Sequence, residues 1–144
     1  MSRKLAAAAA LTFMLLGAAT ASAAEHKVVF QIDDADPGRM TLLLNNVQNI
    51  EEYYAKKGDT AQVHVVAYGP GLKMLLKDSP VAERISAMSL QFDGLEFDAC
   101  HNTLMGMEKK AGHKLTLVDE ATVVPAGVAK IVELEEDGYS YVKP

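Results

Sequence analysis

From Lys27 onward the chain alternates short valine-rich runs with stretches of helical spacing, and most changes of period are marked by Gly or Pro. No other feature restricts the fold as strongly, because strands separated by helices imply right-handed crossovers and a mainly parallel sheet. Lys27 to Ile32 reads as the first strand, and Asp33-Asp34-Ala35-Asp36-Pro37 ends it with turn formers. Asp36 is the expected N-cap and Pro37 the first helical residue. Met40, Leu43, Leu44, Val47, Ile50 and Tyr54 then recur at three- and four-residue spacing, so an amphipathic helix runs to Gly58.

The same reading continues to the end. Gln62 to Tyr68 is a buried strand, broken by Gly69-Pro70-Gly71 before a short apolar turn, Leu72 to Leu76. Ser79-Pro80 repeats the cap-then-proline start for a helix carrying Val81, Ile85 and Met88 on one face. A third strand spans Leu95 to Ala99, a helix Thr103 to Ala111, a fourth strand Ala121 to Val124 and a last helix Val128 to Asp137. Tyr139 to Val142 alternates as an edge strand does. The expectation is a single α/β domain over residues 24–144, a three-layer sandwich with helices on both faces of a five-stranded, mainly parallel sheet. About 120 residues suffice to bury one core without staples.

Residues 1–23 read as a cleavable signal peptide. Arg3 and Lys4 precede an uncharged run from Leu5 to Ala24 that holds Ala21-Ser22-Ala23, the small-x-small pattern of a cleavage site. Its alanine-rich core is about a dozen residues long, short of the roughly 20 that span a bilayer. The expected address is the bacterial periplasm, with no membrane attachment after cleavage. Loss of the leader leaves 12 basic against 19 acidic side chains, a net charge of −7. Nucleic acid and anionic membrane are poor partners for that balance, since both need clustered Lys and Arg.

Cys100 is the one cysteine, so no intramolecular disulfide forms in a compartment that permits them. It follows the third strand and precedes a helix, where parallel α/β sheets gather functional groups. Backbone N–H groups and the helix dipole favour an anion there and can lower a thiol pKa from about 8.5 toward roughly 3.5 to 7.5. A thiolate so placed can attack sulfur, carry a persulfide or bind a soft metal; equally, a cysteine at a strand end serves as a small buried hydrophobe. His101 and Asn102 are the candidate assisting residues.

Other groups read as structural. His64 alternates within a strand, His26 and His113 fall at the surface near element ends, and Asp33, Asp34 and Asp36 suit loop solvation and capping. The five tyrosines are scattered over three elements, as packing residues are. Cys100, His101, Met105, Met107 and His113 offer soft donors for copper(I), but Met105 and Met107 lie about 200° apart around a helix. GxSxG, P-loop, GxGxxG and CxxC patterns do not occur.

Ala67-Tyr68-Gly69-Pro70-Gly71-Leu72, Ser79-Pro80-Val81-Ala82, Phe97-Asp98-Ala99-Cys100-His101-Asn102-Thr103 and Val123-Val124-Pro125-Ala126-Gly127-Val128 occur in that order. With them the chain resembles the DsrE/DsrF-like family, its exported members most closely, over essentially the whole of residues 24–144. The resemblance implies a five-stranded α/β sandwich, assembly into homotrimers or hexamers, and, as in cytoplasmic members, a cysteine after the third strand that carries sulfane sulfur between a donor and an acceptor protein. Cys100 matches that cysteine. His101 and Asn102 match only the exported pattern, so no family role carries over to them. The function expected is a periplasmic, sulfurtransferase-like sulfur carrier that needs no organic cofactor and no metal. A binding module with a packed Cys100, a soft-metal protein and a disulfide-linked dimer are the alternatives.

Overall fold

A computed structural model describes residues 22–144; the leader expected over residues 1–23 lies, but for its last two residues, outside them. The strands are β1 (Glu25–Ile32), β2 (Thr60–Ala67), β3 (Leu95–Cys100), β4 (Ala121–Val124) and β5 (Ser140–Val142), and the helices are α1 (Pro37–Ala55), α2 (Ala82–Gln91), α3 (His101–Ala111) and α4 (Gly127–Glu136). A 3-10 turn, Gly69–Leu75, joins β2 to the segment before α2. The five strands form one sheet in the order β4-β3-β2-β1-β5, and every pairing is parallel. This is the expected single-domain α/β sandwich. No helix among the described residues is long and apolar enough to cross a membrane.

The order explains the layers. From β1 to β4 the chain steps steadily across the sheet, and right-handed crossovers therefore put α1, α2 and α3 on one face. From β4 it returns past three strands to reach β5 beside β1, and the same handedness puts α4 on the other face. The packing agrees: Met40, Leu43, Leu44 and Val47 of α1 and Ile85 and Met88 of α2 join Phe30, Val63, Val65 and Phe97 in the main core. Ile131 and Leu134 of α4 meet Val29 and Val66 in a smaller cluster on the opposite face. Each such side chain, fully buried, stabilises the fold by about 1.5–3 kcal/mol relative to leaving it exposed.

Local chemistry sets the junctions. Asp36 caps α1 by accepting from the Arg39 N–H at 2.9 Å, with Pro37 at the first turn. Gly71 is required because a Cβ there would lie 2.3 Å from the Ile32 carbonyl oxygen, a backbone atom that cannot yield. The helix start expected at Ser79-Pro80 is displaced to Ala82. The Ser79 hydroxyl accepts from the Val81 N–H at 3.3 Å and its carbonyl accepts from the Ala82 N–H at 3.1 Å, which closes a turn before the helix begins. His26 is half-buried rather than at the surface, stacked on Tyr54 with ring centroids 3.6 Å apart and 3.3 Å from Asp59.

Candidate thiol site

Cys100 is the last residue of β3 and the N-cap of α3, so the helix starts at His101, two residues before the Thr103 expected from the sequence. The strands β3 and β4 are neighbours, yet the chain leaves β3 toward one face and β4 toward the other. Their carboxyl ends therefore form a topological switch point, the crevice where open α/β sheets bind ligands. Cys100 and Val124 stand in register at that crevice, with the N-termini of α3 and α4 on either side.

Both helix starts bear on the thiol. Burial pushes it up, but the Thr103 hydroxyl and the backbone N–H groups of Gly127, Thr103 and Asn102 outweigh burial, and Cys100 sits below the ordinary thiol range. The Thr103 oxygen accepts from the Gly69 N–H at 2.9 Å, which leaves its own proton to donate toward sulfur. Gly127 is what lets α4 approach: a Cβ there would lie 3.1 Å from Cβ of Tyr68 and 3.3 Å from Cβ of Cys100. Polar groups at two helix starts thus favour the thiolate of a residue that is only 5% exposed.

The candidate assisting residues divide. Asn102 reaches the thiol through its backbone N–H, whereas its side chain lies on the exposed start of α3. His101 is exposed at the start of α3. The soft donors do not assemble. Met107 packs against the main core, Met105 is exposed, and His113 shares a shallow groove with Met105 that Cys100 does not line. Of the acidic trio, Asp36 caps α1, Asp34 accepts from the Asp36 N–H at 2.8 Å and Asp33 pairs with Lys143 at 3.0 Å.

An apolar groove of about 730 Å³ borders the site, and Gly69, Lys73, Thr103, Met107 and Lys110 are among the residues that line it. Thr103 is thus shared between groove and thiol. Below the crevice, on the same sheet face, a buried pair was read from the sequence only as a structural histidine: His64 Nδ1 lies 2.6 Å from Asp98 Oδ2.

No protein-family model matches the chain, and no curated protein matches it. Among solved structures it is similar to MTH1491, a protein of unknown function from Methanobacterium thermoautotrophicum, at 33% identity over 83% of this chain and 99% of that one, with a TM-score of 0.71. The chain belongs to the family of that protein. Membership of the MTH1491 family carries the α/β fold over the described domain; that relative's unknown function adds nothing about the chemistry of the thiol.

Thr103 and Gly127 are the site residues that sequence reasoning missed. Thr103 had a local signal, a hydroxyl at the third helical position after the cysteine, where a side chain can turn back toward the strand end. Gly127 had a weaker one, a glycine just after Pro125-Ala126 at a strand-to-helix junction. The identity of its neighbour followed only from the strand order.

Proposed function

We propose that this chain is an exported, periplasmic sulfur carrier with sulfurtransferase-like chemistry, of the DsrE/DsrF-like kind, in which Cys100 holds sulfane sulfur as a persulfide. The observation that carries the reading is the seat of Cys100 between two helix starts, as the N-cap of α3 with Gly127 at the start of α4 packed against its Cβ, where nearby N–H groups and the Thr103 hydroxyl hold the thiol below its ordinary range. Such a nest stabilises the thiolate, which is the nucleophile of sulfur exchange. The Cys100 thiolate attacks the outer sulfur of a persulfide or polysulfide donor, an S–S bond forms to Cys100, and the donor's inner sulfur leaves as a thiolate. An acceptor thiolate then attacks the outer sulfur and Cys100 leaves in turn. The exchange is redox-neutral and draws on no cofactor. In this reading the positive ends of the two helices also favour the terminal persulfide anion.

Self-association into trimers or hexamers belongs to this proposal. Val128 and Val132 lie one turn apart on the outside of α4 and, with Val123 on the edge strand β4, are about half exposed close to the thiol crevice. Their burial in an oligomer would wall the crevice against water.

The test is intact-mass spectrometry of the purified protein after polysulfide treatment. A gain of about 32 Da, one sulfur atom, that is absent from Cys100→Ser is expected; equal gains in both, or none, sink the proposal. One observation favours a second reading. Cys100 is as buried as a core side chain, and if the native thiol resists small alkylating reagents at every pH, the chain is a binding module in which Cys100 is packed.

A further inference from the structure

We propose that His64 and Glu96 form a zinc site, oriented by Asp98, on the face of the sheet covered by α4. Among the described residues these three are the set of His, Cys, Asp and Glu side chains whose ligand atoms come within 4.8 Å of one another. Register brings them together: His64 on β2 stands beside Glu96 on β3, and Asp98 is two residues farther along the same face.

The atoms have distinct roles. Asp98 is 1% exposed and its carboxylate lies 2.6 Å from His64 Nδ1, close enough for a strong hydrogen bond. A carboxylate accepts, so Nδ1 carries a proton, which leaves Nε2 as the ring atom able to bind a metal through its lone pair. That lone pair faces another acceptor, the Glu96 carboxylate, with Oε2 at 3.9 Å. The distance is too long for a hydrogen bond, and among the described residues Nε2 of His64, a residue 6% exposed, has no hydrogen-bond partner. A cation held between them would satisfy both acceptors at once.

Zinc fits the donor set and the spacing. Imidazole nitrogen and carboxylate oxygen bind zinc at about 2.0–2.2 Å, which places two ligands of a tetrahedral ion roughly 3.4 Å apart. Closing from 3.9 Å requires Glu96 to move by about half an ångström, and its side chain is 56% exposed and unconfined. Asp98 supplies what zinc-binding histidines commonly have, a carboxylate on the other ring nitrogen that fixes the tautomer and raises ligand basicity. Tyr139, packed edge-on to the His64 ring at 5.2 Å, holds the ring plane. Water from the open Glu96 side would complete the shell.

The site is separate from the thiol. Four residues along a strand put Glu96 about 13 Å from Cys100, so Cys100→Ser should leave zinc binding intact.

Isothermal titration of zinc chloride into the Cys100→Ser protein tests the proposal. One ion per chain is expected, with affinity at least about tenfold lower in Glu96→Gln, whose exposed substitution leaves the fold undisturbed. Asp98→Asn should weaken binding about 10–100-fold. Nitrogen-15 spectra should show the His64 Nε2 resonance shifting on zinc addition. Zinc binding that is absent, or unchanged by Glu96→Gln, overturns the site, as does a His64 that carries both ring protons at neutral pH and ignores zinc, since a proton then occupies the gap.

Discussion

The two faces of the sheet are built from the same strands and are stabilised in different ways. Val28, Phe30 and Ile32 of β1, Val63, Val65 and Ala67 of β2, and Leu95, Phe97 and Ala99 of β3 all join the main core beneath α1, α2 and α3. The residues between them on the other face include Gln31, His64, Asp98 and Cys100, all buried, with only α4 above. Three crossovers pack on one side of a five-stranded sheet and one on the other. A single helix cannot roof five strands, so polar side chains persist beneath and beside it, and each is held by a partner. Gln31 donates to the Tyr68 hydroxyl and accepts from that of Tyr141, His64 pairs with Asp98, and Cys100 meets Thr103 and Gly127. Packing explains the first face; on the second, hydrogen bonds supplement a smaller apolar cluster of Val29, Val66, Ile131 and Leu134, and the candidate chemistry lies there.

The contrast breaks if truncation on the two faces costs the same for the same reason. Leu44→Ala, beneath α1 and fully buried, should cost about 2–5 kcal/mol in urea unfolding, through lost transfer energy and the cavity left behind. Asp98→Leu keeps the branched shape of the side chain but orphans the His64 N–H, and should cost about 1–3 kcal/mol. Adding His64→Leu to it should restore most of that loss in metal-free buffer, because replacing both partners by apolar groups removes the unsatisfied donor. If the double variant loses as much as the two singles together, the pair is not a coupled unit and the second face is packed like the first.

The packed face was legible in the sequence and the polar face largely was not. Met40, Leu43, Leu44 and Val47 are buried as their spacing requires, and Asp36-Pro37 starts α1 where capping chemistry puts it. These signals are local. Ser79-Pro80 shows where local logic stops, because the same hydroxyl that could cap a helix closes a turn instead. On the other face, Cys100 was found by its place after a strand. The partner of His64 is 34 residues away and visible only through the β2–β3 register. Gly127 reaches Cys100 because the crossovers reverse between β3 and β4, and no periodicity encodes that reversal.

The smallest effect on stability tests the thiol itself. Thr103→Val keeps the shape of the side chain and removes both the acceptor for the Gly69 N–H and the donor toward sulfur, at a cost of about 0.5–1.5 kcal/mol. Thr103→Ser should restore the hydroxyl's effect. The folded thiol lies below its ordinary value despite burial, so folding favours the thiolate. Stability from this group is then complete above the unfolded value of about 8.5 and is lost as pH falls through the folded one. Measured as the difference between the parent protein and Cys100→Ser, stability should rise with pH across that window and level off above it. The rise should shrink in the Thr103→Val background, and alkylation of Cys100 at neutral pH should slow with it. A difference that stays flat, or falls as pH rises, would mean that burial outweighs the donors and that the polar face holds Cys100 as a neutral packed side chain.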